Sequence, residues 1–262
     1  MKIAIYQMDI VPADPVANRE KVKNWVEEVM AAESPDMLVL PEMWTTAYTL
    51  PDLHTLAETE KKETAQWLAS LAKTYDVNII GGSIATMENE KIYNRALVFD
   101  RVGNCIHQYD KMHLVPMLDE HLYLAGGKEK AAIFTVDGIK IGVIICYDLR
   151  FPELSRQLAL AGAEIIVIVA EWPEARKDHW RILQRARAIE NQCFIVAANR
   201  VGTYNDVQFC GRSTVVSPWG EEIAEGSMEK EETIIVTIDS TQVRSVRNQV
   251  PVFQSRRPNL YE

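Results

Sequence analysis

The amino-acid sequence predicts an α/β fold in which helices cover sheets with a large, partly antiparallel core. Short apolar runs at residues 37–40, 165–169 and 193–198 have the length and composition of buried strands. Longer segments between them place apolar residues three or four positions apart, as a helix lying on a sheet requires. The chain of 262 residues contains no Pro/Gly/Ser-rich linker, charge block or short-period repeat, so residues 1–262 are expected to form a single domain.

The elements follow in order. Residues 2–8 alternate as a strand does, and Asp14-Pro15 then supplies an N-cap and a first-turn proline. Val22, Trp25, Val26 and Val29 continue at helical spacing before the strand at 37–40. A second helix, with Ala65, Leu68, Leu71 and Ala72 on one face, precedes a strand at 77–80 closed by Gly81-Gly82. Strands without helices follow at 92–99, 105–109, 131–136 and 140–145, the last two joined by Asp137-Gly138, a hairpin signal. Residues 152–162 and 178–191 read as helices on either side of the strand at 165–169. Strands at 193–198, 213–216 and 234–238 complete the series, with Pro218-Trp219-Gly220 as a turn. The tail, from about residue 248 to residue 262, carries Phe253, Leu260 and Tyr261 and is expected to pack on the body or on a second subunit.

Composition narrows the function. Lys and Arg total 28 against 37 Asp and Glu, a net charge of −9, which argues against a nucleic-acid partner. A local cation can still receive a small anion. No apolar run is long enough to span a membrane. The opening MKIAIYQMDIVPADP lacks the apolar stretch of a signal peptide. Cys105, Cys146, Cys193 and Cys210 form no CxxC pair, so a reduced, cytoplasmic protein without structural metal is expected.

Active sites of α/β proteins gather where strands run out into loops. Three reactive side chains stand just past apolar strands: Glu42, Lys111 and Cys146. Cys146 ends the run IGVII and precedes YDLRFPE, a strand, turn and helix start that would present its sulfur beside backbone N–H groups. Those donors would favour a thiolate and hold an oxyanion. Glu42, in MLVLPEMW, is costly to desolvate unless paired, and a carboxylate so placed suits proton transfer. Lys111 lies among Tyr109, Met112, Leu114 and Val115, which would draw its amine inward, while Glu120 could orient that amine. Packing, ion pairing and a solvated charge are the bland readings of the three. Together they suit cleavage of a carbon–nitrogen bond: the thiolate attacks an amide carbon, the glutamate moves protons, and the lysine holds the oxyanion. The scheme needs neither a metal nor an organic cofactor.

Other readings are weaker. A cysteine–histidine dyad would draw on His54, His107, His113, His121 or His179, but no CGSCW-like context surrounds Cys146. The histidines lack an HExxH core. Gly81-Gly82-Ser83 and Gly126-Gly127-Lys128 fit no phosphate-loop pattern and read as turns. His113 is expected to shape the Lys111 loop and His179 to brace a helix.

At LPEMW, YDKMHL and GVIICYDLRFPE the chain resembles the nitrilase, or carbon–nitrogen hydrolase, superfamily. The similarity continues through HWRILQRARAIENQCFIVAANRVG and GRSTVVSPWGE, nearly the whole length. The resemblance implies a four-layer α-β-β-α sandwich that pairs as a homodimer through its sandwich faces. It implies Glu42 as base, Lys111 as oxyanion stabiliser, Cys146 as nucleophile, the Tyr147 backbone N–H in the oxyanion hole and Glu120 as an additional glutamate. DEHLYLAGG and EWPEARKDHW are most similar to the omega-amidase branch, which hydrolyses the terminal amide of 2-oxoglutaramate, 2-oxosuccinamate or succinamate. A small anionic amide needs a cationic clamp; Arg176 is the expected clamp, with Trp172 as a wall and His113 as a further contact. N-carbamoyl amine, aliphatic amide or nitrile hydrolysis is the alternative within the superfamily, and a catalytically silent binding module the alternative outside it.

Overall fold

Alternation along the first strands sorts their side chains into two cores. In β1 (Lys2–Gln7), Ile3 and Ile5 enter one core while Ala4 and Tyr6 enter another. β2 (Met37–Val39) repeats the division, Met37 and Val39 against Leu38. The structure, a computed structural model, describes residues 1–59 and 63–261.

α1 (Pro15–Ala32) begins at Asp14, whose Oδ1 accepts the Ala17 N–H at 2.9 Å, and buries Val22, Trp25, Val26 and Val29 in the outer core. After the short α2 (Leu53–Leu56), α3 (Glu63–Tyr75) adds Leu68, Leu71 and Ala72 to the same core. β3 (Asn78–Glu88), β4 (Lys91–Phe99) and β5 (Cys105–Asp110) follow without helices.

The second half repeats this order. β6 (Ile133–Val136) and β7 (Ile139–Ile145) are joined by Asp137-Gly138, both at positive φ as a two-residue hairpin requires. Then come α4 (Pro152–Leu160), β8 (Ile165–Ala170), α5 (Lys177–Asn191) and β9 (Phe194–Asn199). A small hairpin of β10 (Thr203–Tyr204) and β11 (Val207–Gln208) precedes β12 (Thr214–Val216), β13 (Glu222–Glu225), β14 (Glu232–Thr237) and α6 (Thr241–Gln249).

Two six-stranded sheets result, ordered β14-β1-β2-β3-β4-β5 and β6-β7-β8-β9-β12-β13. Read in those directions, both show the same pairing: antiparallel, parallel, parallel, antiparallel, antiparallel. Ile3, Val39 and Val98 of the first sheet share a core with Val143, Val167 and Val196 of the second, so the sheets pack face to face. Leu154, Leu158, Trp180 and Ala188 of α4 and α5 continue that core outward. The layers are therefore α-β-β-α, as the resemblance implies.

The strand expected to end at Gly81-Gly82 instead runs through them, with a register shift between Ile80 and Ser83. Gly82 has φ +60°, and a Cβ there would lie 2.0 Å from the Pro41 carbonyl oxygen. The glycine marks a bulge under the Glu42 loop, not a strand end. α6 and β13 escape sequence reading because each is short and mostly polar. Within the tail, the Phe253 ring lies 5.2 and 5.0 Å from the guanidinium groups of Arg156 and Arg247, while Leu260 and Tyr261 are exposed. Glu262 lies outside the described residues.

Candidate active site

Chain direction brings the candidates to one end of the sandwich. β3–β4 and β4–β5 are both antiparallel, so β5 runs parallel to β2 and delivers Lys111 to the end where β2 leads into Glu42. Cys146 and Glu171 follow the carboxyl ends of the parallel strands β7 and β8. An Asp9–Val201 bridge joins the loop after β1 to that after β9, closing the sheets together at this end.

Glu42, Lys111 and Glu120 are all fully buried. Glu42 Oε1 accepts from Tyr48 Oη at 2.6 Å, Asn94 Nδ2 at 2.8 Å and Lys111 Nζ at 3.1 Å, and Oε2 accepts the Glu171 N–H at 2.8 Å. Lys111 also donates to Tyr48 Oη at 2.6 Å and Glu120 Oε1 at 2.9 Å, which accounts for its three N–H bonds. Glu120 Oε2 accepts the Val115 N–H. Burial alone would lower the pKa of the Lys111 ammonium; the charges of Glu42 and Glu120 outweigh it and hold the pKa above its ordinary value. Desolvation and the same two carboxylates raise the Tyr48 hydroxyl, so it stays protonated.

Backbone supports hold this cluster in place. Ser83 Oγ accepts the Met43 N–H at 3.0 Å, fixing the loop after Glu42 to the bulge at Gly82. Gly127 donates its N–H to Lys111 O at 2.8 Å, and a Cβ there would lie 2.2 Å from Asp110 O. Gly126-Gly127 is thus a close-approach site beside the lysine.

Cys146 has φ +46°, a conformation that non-glycine residues adopt only where their surroundings enforce it. Asp148, fully buried, supplies the enforcement. Its Oδ2 accepts from Ile145 N at 3.2 Å and Tyr109 Oη at 2.7 Å, and its Oδ1 pairs with His113 N at 3.0 Å and Nδ1 at 2.8 Å. One carboxylate therefore ties the cysteine turn to β5 and the Lys111 loop.

The charges of Glu42 and Lys111 both act on the buried Cys146 sulfur, which places it beside them. Burial first, and the charge of Glu42 second, push its thiol well above the usual range, with Lys111 opposing them. The thiolate expected from the backbone donors is therefore not the resting state, because desolvation at this depth outweighs them. A protonated sulfur needs a base, and the base within reach is a carboxylate. His113 instead stacks on Phe151 with ring centroids 3.6 Å apart and braces the Lys111 loop.

The expected substrate contacts are more dispersed. Trp172 is buried, and its Nε1 donates to Arg176 O at 2.8 Å. The Arg176 side chain is exposed, folds back on Ala175 O at 3.0 Å, and lines an open depression of about 560 Å³ with Pro173, Lys177 and Gln208. Arg150, not singled out from sequence, lies over the rings of Trp172 at 4.7 Å and Tyr147 at 5.7 Å, and donates to His179 Nδ1. Tyr48, Asn94, Asp148, Glu171 and Arg200 were also missed. The rule that found Glu42, a charge just past an apolar strand, also fits Glu171 and Arg200. Among the described residues, no group of three or more His, Cys, Asp and Glu side chains could hold a metal, and no helix is long and apolar enough to cross a membrane.

Fold and site together define a class: α/β sandwich hydrolases that bury a thiol, a carboxylate and an ammonium at converging strand ends. The family profile described as Carbon-nitrogen hydrolase matches residues 2–248, and the chain belongs to that family, within the nitrilase superfamily. It is 42% identical over 259 residues to the 2-oxoglutaramate amidase of Bacillus subtilis, covering 99% of this chain and 98% of that one. It is 32% identical to the omega-amidase YafV of Escherichia coli, covering 97% and 96%. The crystal structure of Nit3 from Saccharomyces cerevisiae superposes with a TM-score of 0.91 at 28% identity, over 98% and 96% of the two chains. The protein is a carbon–nitrogen hydrolase with omega-amidase-like relatives.

Proposed function

We propose that the enzyme hydrolyses the terminal amide of a short dicarboxylic acid monoamide, such as 2-oxoglutaramate, 2-oxosuccinamate or succinamate, to the acid and ammonia. The observation that carries this reading is the convergence of Cys146, Glu42 and Lys111 from two sheets into one water-poor cluster. The amidase relatives support the choice of bond.

Glu42 takes the thiol proton as Cys146 Sγ attacks the amide carbon. Lys111 and the Tyr147 N–H hold the oxyanion. All three N–H bonds of Lys111 are engaged, so one is redirected when substrate arrives. Tyr48 is its neutral partner among the described residues and the least costly to release. Glu42 then protonates the amide nitrogen, the C–N bond breaks, ammonia leaves and a thioester remains. Water attacks the thioester as Glu42 accepts its proton, which returns to the sulfur as the acid departs. Glu120 orients Lys111 throughout.

The far carboxylate of the substrate is held by a guanidinium. Arg150, four residues after the nucleophile, is held by ring stacking and has no ion-paired carboxylate among the described residues, which favours it as the clamp. Arg176 meets the anion at the rim, with Trp172 as the wall and His113 bracing the loop beside it. Exposed Ile182, Ile189 and Trp219 on the α5 side provide the surface for a homodimer.

Ammonia release is measured from 2-oxoglutaramate, succinamate, glutamine, a simple nitrile and an N-carbamoyl amino acid, with wild type, Cys146→Ala, Arg150→Ala and Arg176→Ala. Rapid Cys146-dependent turnover of the first two is expected, with KM raised roughly tenfold or more in Arg150→Ala. Preference for the nitrile or carbamoyl compound would overturn the substrate. An unchanged KM in Arg150→Ala with a raised one in Arg176→Ala would move the clamp to the rim.

A further inference from the structure

The end of β8 carries a second buried ion pair that the proposed reaction does not use. Glu171 Oε2 pairs with Arg200 Nη1 at 2.8 Å, both side chains being almost wholly enclosed. Arg200 reaches across the sandwich: Nη2 donates to Ile10 O at 3.0 Å and lies 3.5 Å from Asp9 Oδ1, while Nε donates to Val201 O at 2.9 Å. Its guanidinium rests on the Phe209 ring, 4.4 Å from the centroid. Neighbouring Asn199 fixes the next residue, accepting the Trp172 N–H on Oδ1 at 2.7 Å. The chain at Glu171 is thus clamped from both sides, and its N–H is the one that holds Glu42 Oε2.

Internal symmetry gives this arrangement a meaning. β2 and β8 both stand third in the two matching sheet orders, so Glu42 and Glu171 are carboxylates at matching strand ends. Glu42 is bonded through both oxygens. Glu171 keeps one, Oε1, buried without a hydrogen-bond partner among the described residues. An ion pair at this depth is weak evidence for a stabilising role, which leaves the placing of a charge beside Glu42 to be explained.

We infer that Glu171 is a positioning residue for Glu42: anchored by Arg200, it presents the N–H that orients the base and places a second carboxylate charge beside it. The inference rests on Glu42 being the base. Burial first pushes the Glu171 carboxyl up to about 7, Arg200 opposing it, with Glu42 raising and Lys111 lowering it further. Tyr204 and Asp9 complete the titratable surroundings of the pair. The coupling is mutual. An ionised Glu171 favours arrival of a proton on Glu42, so its charge assists above about pH 7 and is lost as the pH falls through that value.

The test is the ratio of wild-type to Glu171→Gln kcat/KM across pH, with Glu42→Gln as a control. Glutamine keeps the backbone N–H and mimics the protonated acid. The ratio should approach one below about pH 6 and climb to roughly tenfold above about pH 8. Glu171→Asp, which can still ionise, should restore part of the rise. Should Glu171→Gln not fold, Glu171→Met, which removes the carboxyl and leaves Arg200 in place, serves the same comparison. A ratio that stays constant with pH would reduce Glu171 to a structural group and overturn the inference while leaving the base intact. Wild-type turnover in Glu42→Gln would instead overturn the base itself.

Discussion

At the scale of single residues, the resting state of the nucleophile is set by a contest between burial and charge. Lys111 acts to stabilise a Cys146 thiolate, yet desolvation and the charge of Glu42 raise the thiol well above its ordinary range. The sign follows directly: a raised thiol remains protonated through neutral pH and yields thiolate only as the pH climbs past the usual thiol range. Alkylation of Cys146 by iodoacetamide, followed by peptide mass without substrate, should therefore be at least tenfold slower at about pH 7.5 than that of a simple aliphatic thiol. Its rate should keep rising beyond about pH 9. A plateau near pH 8 would show that the preformed thiolate survives burial. Sequence located Glu42, Lys111 and Cys146 because each follows an apolar strand. It could not show the direction of the thiol shift, which depends on depth and on Glu42 arriving from the other half of the chain. Tyr48 and Asn94 stayed hidden for a similar reason, since a tyrosine in a loop and an asparagine within a strand acquire meaning only around Glu42.

At the scale of elements, precision comes from devices that join one strand end to another. Asp148 is the most concentrated of them, gathering donors from Ile145, Tyr109 and His113 onto one buried carboxylate. The cysteine turn, at positive φ, and the Lys111 loop therefore move together. Asp148→Asn replaces one of the two acceptor oxygens with an amide nitrogen that cannot accept, leaving buried donors unmatched. A loss of about 3 kcal/mol is expected from such hydrogen bonds to a charged group. The checks are thermal unfolding and ammonia release, and kcat should fall even at temperatures where the variant remains folded. Wild-type kcat in a destabilised but folded Asp148→Asn would show that the turn keeps its shape without the link. The periodic helices and fully apolar strands were legible because burial of a face dictates their residue pattern. The bulge at Gly82 was not, because Gly81-Gly82 carries the same local signal whether a strand ends or bends beneath the Glu42 loop.

At the scale of the whole molecule, two halves with the same strand pairing close face to face, and their outer helices become the exposed layers. The outer face of α5 is unusually apolar for such a layer. Ile182 is 64% exposed and Ile189, seven positions later on the same helical face, 52%. The Trp219-Gly220 turn adjoins them: a Cβ on Gly220 would lie 2.6 Å from Ile189, and Arg185 Nε donates to Gly220 O. Trp219 itself is 48% exposed. Helical periodicity groups Ile182, Leu183, Ala186 and Ile189 as the apolar face of an amphipathic helix, but the structure turns Ile182 and Ile189 outward and buries Trp180, Gln184, Arg187, Ala188 and Asn191 instead. Exposed apolar side chains of this kind suit an interface, and a twofold pairing needs only one self-complementary patch, so we propose that two chains pair here. The mass in solution by light scattering should correspond to two chains at micromolar concentration. Placing like charges opposite one another with Ile182→Glu and Ile189→Glu should yield single chains, while the buried cluster around Glu42 and Cys146 keeps its alkylation behaviour. A double variant that retains the mass of two chains would place the interface elsewhere.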